Sequence, residues 1–263
     1  MCFSPNSVSP GSENADPYAQ CPSCLGLFLH PHPEKQSNAV FDGPHAAVVQ
    51  QALEIQRHDY FLKHLLRIEK QIGSSTENLR LMEIGCGSGF LLKTAISRGW
   101  QADALELSPE LASLAGQLNP SSNITVANVL DHNSGNSNYD AVMALDVVEH
   151  VLDPELMLKN CQAMLKPSGL LLIQTPNTRG LRSRTQKARW DMRDSSQHIN
   201  LFSDRGLEGL LEKTGFEVVM LRTVSGSGME KGTAAVLASI KEWLLDQAKL
   251  GNALCVIARR VGD

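Results

Sequence analysis

The stretch "LMEIGCGSGFLL", residues 81–92, constrains the chain more than any other. A strand-type apolar run enters a turn with glycine at 85, 87 and 89, and a helix-type run leaves it. Glycine at every second position suits a backbone that takes positive φ and lets the main chain approach a ligand closely. Strand, glycine-rich turn and helix are the context of a nucleotide-binding loop. The spacing is not the G-x-G-x-x-G of a dinucleotide fingerprint, and the Gly-Lys-Ser/Thr ending of a phosphate-cradling loop is missing. Taken alone, the turn is equally compatible with a structural strand-to-helix junction.

The surrounding rhythm extends the turn into a fold. Strand-type runs "LRLMEI", "QADALEL", "NITVANV", "YDAVMAL", "GLLLIQT", "FEVVMLRTV" and "NALCVIARRV" are separated mostly by helix-type runs such as "PELASLAGQL" and "PELMLKNCQAML". Such alternation implies right-handed crossovers and an α/β fold with a mostly parallel seven-stranded sheet, helices covering both faces. The last two strands flank a single helix, "TAAVLASIKEWLLDQAKLG", and one of them is expected to run antiparallel at an edge. Upstream, apolar residues recur at three and four from His45 to Ile72, which predicts an N-terminal amphipathic helix. Residues 1–17 are rich in Ser, Pro, Asn and Gly and are read as disordered.

The next strand after the turn ends at Glu106, close to the spacing at which a carboxylate accepts hydrogen bonds from ribose hydroxyls. Glycine turn and carboxylate together describe an adenosine-containing ligand. A second polar group lies in "LDVVEH", where Asp146, Glu149 and His150 follow the apolar "YDAVMA". Charges at the end of a buried strand are costly unless paired, liganded or solvated, and in open α/β sheets this is where ligands bind. His150 could serve as general base toward an acceptor hydroxyl, with Glu149 or Asp146 orienting it and raising its pKa. In the other reading these residues only support the turn that follows.

"LMEIGCGSG", "RGW...ALELS", "YDAVMALDVVEHVLDPELMLKNCQAMLKPSGLLLIQTPN" and "HINLFSDRGLEGLLEKTGFEVV" occur in this order over residues 79–222. In combination they resemble class I S-adenosylmethionine-dependent methyltransferases, in the branch that includes ubiquinone-biosynthesis and natural-product O- and C-methyltransferases. The resemblance implies a Rossmann-like domain over residues 45–263 including the N-terminal helix, with a tail and partial zinc knuckle at 1–44. It implies that Glu83, Gly85, Cys86, Gly87 and Gly89 meet the methionine part of S-adenosylmethionine and that Glu106, with Leu107 beside it, holds the ribose. Asn128 and Val129 would border the adenine, with Asn128 or Asp131 as its polar partner, and Leu145 would line the pocket. "DVVEH" with the later "QHINLF" also resembles methyltransferases that bind a divalent ion through two carboxylates and two histidines, here Asp146, Glu149, His150 and His198. Mixed oxygen and nitrogen ligation suits Mg, Mn or Zn. "CPSCLGLFLHPHP" resembles the second knuckle of a small zinc ribbon, with Cys21 and Cys24 as half a site and Cys2, His30 or His32 as further candidates.

The formal charge of −4 over 263 residues provides no general attraction to nucleic acid or anionic lipid. The one basic stretch, "RGLRSRTQKAR", falls in the long segment 178–203. That segment is expected to cover the active site, with Trp190 as an apolar wall, His198 reaching inward, and arginines that either grip an anionic substrate or form a solvated face. No apolar run is long enough to span a bilayer, and the N-terminus lacks the regions of a signal peptide, so the expected compartment is the cytosol. Cys86, Cys161 and Cys255 read as small core residues. The sum is a methyltransferase acting on oxygen or carbon of a small-molecule acceptor. Its rivals are a cofactor-binding scaffold without catalysis and an NAD-dependent oxidoreductase, the latter opposed by the glycine spacing and by the lack of a Tyr-x-x-x-Lys pair. Acceptor identity and oligomeric state have no motif of their own.

Overall fold

The computed structural model describes residues 17–34, 57–73, 78–132, 138–193, 197–225, 241 and 243–262. The tail upstream of residue 17, the first half of the expected N-terminal helix and about half of the expected helix before the last strand lie outside these residues. Strands β3 (Arg80–Ile84), β4 (Gln101–Glu106), β5 (Ile124–Val126), β6 (Tyr139–Leu145), β7 (Leu165–Pro176), β9 (Phe216–Val224) and β10 (Ala253–Arg260) form one sheet in the order β5-β4-β3-β6-β7-β10-β9. β3 pairs in parallel with β4 and β6, β4 with β5, and β6 with β7. β10 is antiparallel to both β7 and β9.

One of the two C-terminal strands is thus antiparallel, but it lies inside the sheet rather than at its edge. Leu254 to Ala258 are all at most 1% exposed, whereas the middle of β9 is half-exposed. A continuous apolar run satisfies a strand covered on both faces, and a mixed run satisfies an edge.

The pleat sorts β6 onto two cores. Val142 and Ala144 face the cluster containing Leu158 and Leu211, while Ala141 and Met143 face the one containing Leu65 and Leu92. The first core is closed by α4 (Pro154–Met164) and α6 (Asp204–Lys213), the second by α1 (His58–Ile72) and α2 (Phe90–Ser97). Helix starts follow from local chemistry. Ser108 caps α3 (Pro109–Leu118) by accepting from Leu111 N, Asp153 caps α4 by accepting from Leu156 N, and both helices open on proline.

A second, three-stranded sheet joins β1 (Tyr18–Gln20) and β2 (Leu27–Leu29) to β8 (Asn200–Leu201). Between β7 and β8, α5 (Leu181–Gln186) carries the exposed Arg182 and Arg184 and leads into a short turn of helix with exposed Lys187 and Arg189. Apart from Arg179, which pairs with Asp204, the basic residues of this stretch are solvent-exposed. Among the described residues no helix is long and apolar enough to cross a membrane.

α1 buries His64, 1% exposed, beside Cys255 and Arg67. Burial, and then the Arg67 charge, push its pKa down to about 3. The unfolded chain takes up this proton near pH 6.5 and the folded chain does not, so the neutral ring's contribution to stability is complete above pH 6.5 and lost as pH falls toward 3. Urea unfolding at pH 7 and pH 5 should show a drop of which His64 supplies about 2 kcal/mol, and His64→Gln should shrink that drop.

Candidate active site

The glycine turn leaves β3 at its carboxyl end. Gly85, Gly87 and Gly89 all have positive φ, of 71°, 55° and 87°. A Cβ on Gly85 would sit 2.8 Å from a Val147 methyl, so only glycine lets the turn pass beneath the β6 loop. Gly89 has a different duty. Its Cβ would sit 3.0 Å from Ala115 Cα, and its carbonyl accepts from Asn119 Nδ2 at 2.9 Å, so it packs α2 against α3. Gly89→Ala should destabilise the fold by about 1–3 kcal/mol, read from chemical denaturation, because both the φ and the contact oppose a side chain.

Glu106 is buried at the end of β4 and ties the turn to its neighbour strand. Its Oε2 accepts from Gly87 N at 2.8 Å and its Oε1 from Ser108 N at 2.9 Å. Glycine turn and carboxylate open into one cavity of about 300 Å3. Of the residues expected to meet the cofactor, Glu83, Gly85, Cys86, Gly87, Glu106, Leu107, Asn128, Val129 and Leu145 line it. Gly89 and Asp131 are not among the lining residues. Asn128 is held there by accepting from Leu130 N at 3.0 Å through Oδ1.

The far wall of the cavity is built from residues that sequence reading missed. Arg57, Tyr60 and Phe61 line it from the start of α1. The Arg57 guanidinium lies 4.0 Å from the Tyr60 ring centroid and 3.3 Å from Asp146 Oδ2. The Tyr60 hydroxyl donates to Asp146 at 3.5 Å and accepts from Gln174 Nε2, which also donates to Asp146 Oδ1 at 3.2 Å. Burial, and then the Asp146 charge, keep the Tyr60 phenol protonated well above its usual range. Two signals were available: Arg-x-x-Tyr puts both side chains on one helical face, and "QT" ends an apolar parallel strand beside "LDVVEH".

"LDVVEH" divides. Asp146, at φ 57°, ends in the Arg57–Tyr60–Gln174 network, while Glu149, His150 and His198 converge elsewhere, with ligand-type atoms within 4.8 Å of one another. The two imidazoles stack obliquely with centroids 4.8 Å apart. Glu149 is 1% exposed and accepts from Thr175 Oγ1 at 2.9 Å, and burial, with Asp146 nearby, raises its pKa well above the carboxylate range.

His150 was expected to be oriented by a carboxylate that raises its pKa. Instead its Nδ1 lies 2.8 Å from the Gln197 carbonyl, and burial brings its pKa down to about 4. His198 Nδ1 lies 2.7 Å from the Met192 carbonyl. Donation to these carbonyls places a proton on Nδ1 of each ring, so that in the neutral form the lone pair is on Nε2.

One further expectation is corrected by the geometry. Trp190, 3% exposed, packs with Tyr18, Leu27 and Leu201 and anchors the N-terminal hairpin instead of walling the cavity. Cys21 and Cys24 are buried together with Ala19 and Phe28, and among the described residues neither His30 nor His32 joins them in a group of three metal-type ligands, while Cys2 lies outside those residues.

A parallel sheet with one inserted antiparallel strand, a glycine turn and a ribose-spaced carboxylate opening into one cavity define a class I S-adenosylmethionine-dependent methyltransferase. The chain belongs to the family described as methyltransferase domain, whose model matches residues 53–221. It is 31% identical over 105 residues to the ubiquinone biosynthesis O-methyltransferase of Xanthomonas axonopodis pv. citri, covering 37% of this chain and 43% of that protein. The match thus spans less than half the length of that curated relative. Among solved structures, a chain of the Haloferax volcanii complex between the Trm112 methyltransferase activator and a methyltransferase superposes with TM-score 0.65 at 16% identity, over 85% of this chain and 97% of that one. An S-adenosylmethionine-dependent methyltransferase from Mesorhizobium loti does so with TM-score 0.56 at 16% identity, over 71% and 93%. These likenesses show the shared fold.

Proposed function

We propose that the enzyme methylates a hydroxyl oxygen of a small-molecule acceptor, with Glu149, His150 and His198 as the acceptor-side apparatus. The observation that carries this reading is their convergence, within 4.8 Å, beside a cavity that His150 itself lines. The sulfonium methyl is already electrophilic, so alignment does most of the work and only an acceptor that must lose a proton calls for such a group. The curated relative named above is a ubiquinone biosynthesis O-methyltransferase, which agrees with a hydroxyl acceptor.

In this reading Gly85 to Gly87 meet the methionine part of the cofactor and Glu106 the ribose, with Asn128 and Val129 at the adenine. The Arg57–Asp146 pair, open to the same cavity, matches the carboxylate and ammonium of the methionine zwitterion. Arg57→Ala should therefore weaken S-adenosylmethionine by about tenfold in calorimetry, the value of one charge-assisted contact.

A divalent ion at Glu149, His150 and His198 is favoured over a free general base by one observation. Both rings are held through Nδ1 by carbonyls, the usual arrangement of metal-ligating histidine, and burial, which brings the His150 pKa down to about 4, makes its imidazole a weak base. The donor set fits: one carboxylate and two imidazoles would suit Mg, Mn or Zn. When bound, the ion supplies Lewis-acid polarisation of the acceptor hydroxyl. The chain's own residues orient it: Thr175 holds Glu149, and the Gln197 and Met192 carbonyls hold the two rings. Labelled S-adenosylmethionine with 3,4-dihydroxybenzoate as probe, beside a panel of simple phenols and carbon acids, tests the reading. Methoxy product is expected; transfer to carbon acids alone would end the oxygen assignment.

A further inference from the structure

No described residue of the β1–β2 hairpin lines the cavity, yet the hairpin is hydrogen-bonded to the strand that delivers His198. Leu27 pairs with Leu201, Phe28 with Asn200, and Leu29 N donates to Ile199 O at 3.0 Å. The Tyr18 hydroxyl donates to the His198 carbonyl at 2.6 Å. On its other side the same strand is tied to the "EH" loop: Ile199 N and Asn200 N donate to Glu149 O at 2.8 and 3.0 Å, and Asn200 Nδ2 donates to Val151 O at 2.8 Å.

A two-residue strand has too few ladder bonds to hold its own orientation, so both flanks are needed. Tyr18 acts at two points. Its hydroxyl holds the His198 peptide, and its ring packs with Trp190 and Leu201 in the cluster that Met192 joins. Met192 in turn accepts the His198 ring proton.

We propose that the hairpin is a working part of the active site and that Tyr18 is a positioning residue, which holds the His198 imidazole against His150 and Glu149 by fixing the peptide from which it projects. This rests on the reading that His198 serves the acceptor side. Tyr18→Phe removes one O–H and keeps the ring in its apolar cluster, so it separates positioning from packing.

The test uses the full chain with 15N-labelled histidine, in which the His198 ring signals are identified by their loss in His198→Asn. The wild type should show a single Nδ1–H tautomer for His198. Tyr18→Phe should shift those signals toward tautomer averaging, with His64 unmoved, thermal midpoint held and S-adenosylmethionine affinity within about twofold. With the diphenol probe, kcat should fall about two- to tenfold at unchanged KM for S-adenosylmethionine, as for loss of one hydrogen bond. Unchanged His198 signals in Tyr18→Phe overturn the proposal. So does a change that spreads to His64 and lowers cofactor affinity, because that is general damage. Full methyl transfer by His198→Asn would instead overturn the acceptor-side reading, while the ring signals decide the positioning separately.

Discussion

Glu106→Ala should weaken S-adenosylmethionine and S-adenosylhomocysteine by about 10- to 100-fold in calorimetry. The carboxylate is buried, and its two oxygens already accept from Gly87 N and Ser108 N. It therefore presets the glycine turn, and in the proposed reading it would also offer acceptors to the ribose. Hydrogen bonds to a charged group contribute about 1.5–3 kcal/mol, and each 1.4 kcal/mol is tenfold. Truncation also strands two buried amide donors, so the free protein should lose about 1–3 kcal/mol of stability. Glu106→Gln keeps one acceptor oxygen and should fall between. An unchanged affinity in Glu106→Ala would remove the ribose assignment.

Glu149→Gln should lower methyl transfer by about 100-fold or more while leaving S-adenosylmethionine affinity within about twofold. The amide is close to isosteric, and its oxygen can still accept from Thr175 Oγ1, so the loop has no reason to collapse. What disappears is the negative charge. Burial raises the Glu149 pKa, so a cation must compete with a proton for the carboxylate. Metal affinity should accordingly rise with pH up to the folded pKa of Glu149, measured by titrating Mn2+ into the full chain. Excess chelator should abolish wild-type activity and Mn2+ restore it. Full activity in chelator with no bound metal would rule out the ion and leave hydrogen bonding as the function of the cluster.

The parts of this enzyme that were legible in the sequence are those with a period or a covalent neighbourhood. The glycine turn, Glu106 one strand later, and the span Tyr139–Leu145 could be located because strand, turn and helix impose local patterns. Strand order at the C-terminal end was less legible. That one strand runs antiparallel could be guessed, but its interior place follows from burial on both faces, which "LCVIA" satisfies and "VVML" does not. Trp190 was misplaced because an aromatic in a long loop reads the same whether it faces a ligand or a hairpin.

What the sequence by itself determined is the doubly covered parallel sheet and the end of the cavity proposed for the cofactor, since each residue there follows its own strand within a few positions. Only the tertiary structure decided the end proposed for the acceptor. It split "LDVVEH", sending Asp146 to Arg57 and Tyr60 and bringing Glu149 and His150 to His198. It also set an N-terminal hairpin against the peptide of His198, 180 residues away. The physical reason is that neighbours on a strand end point in different directions, and their partners come from elements whose sequence records their own packing but not what they will meet across the fold.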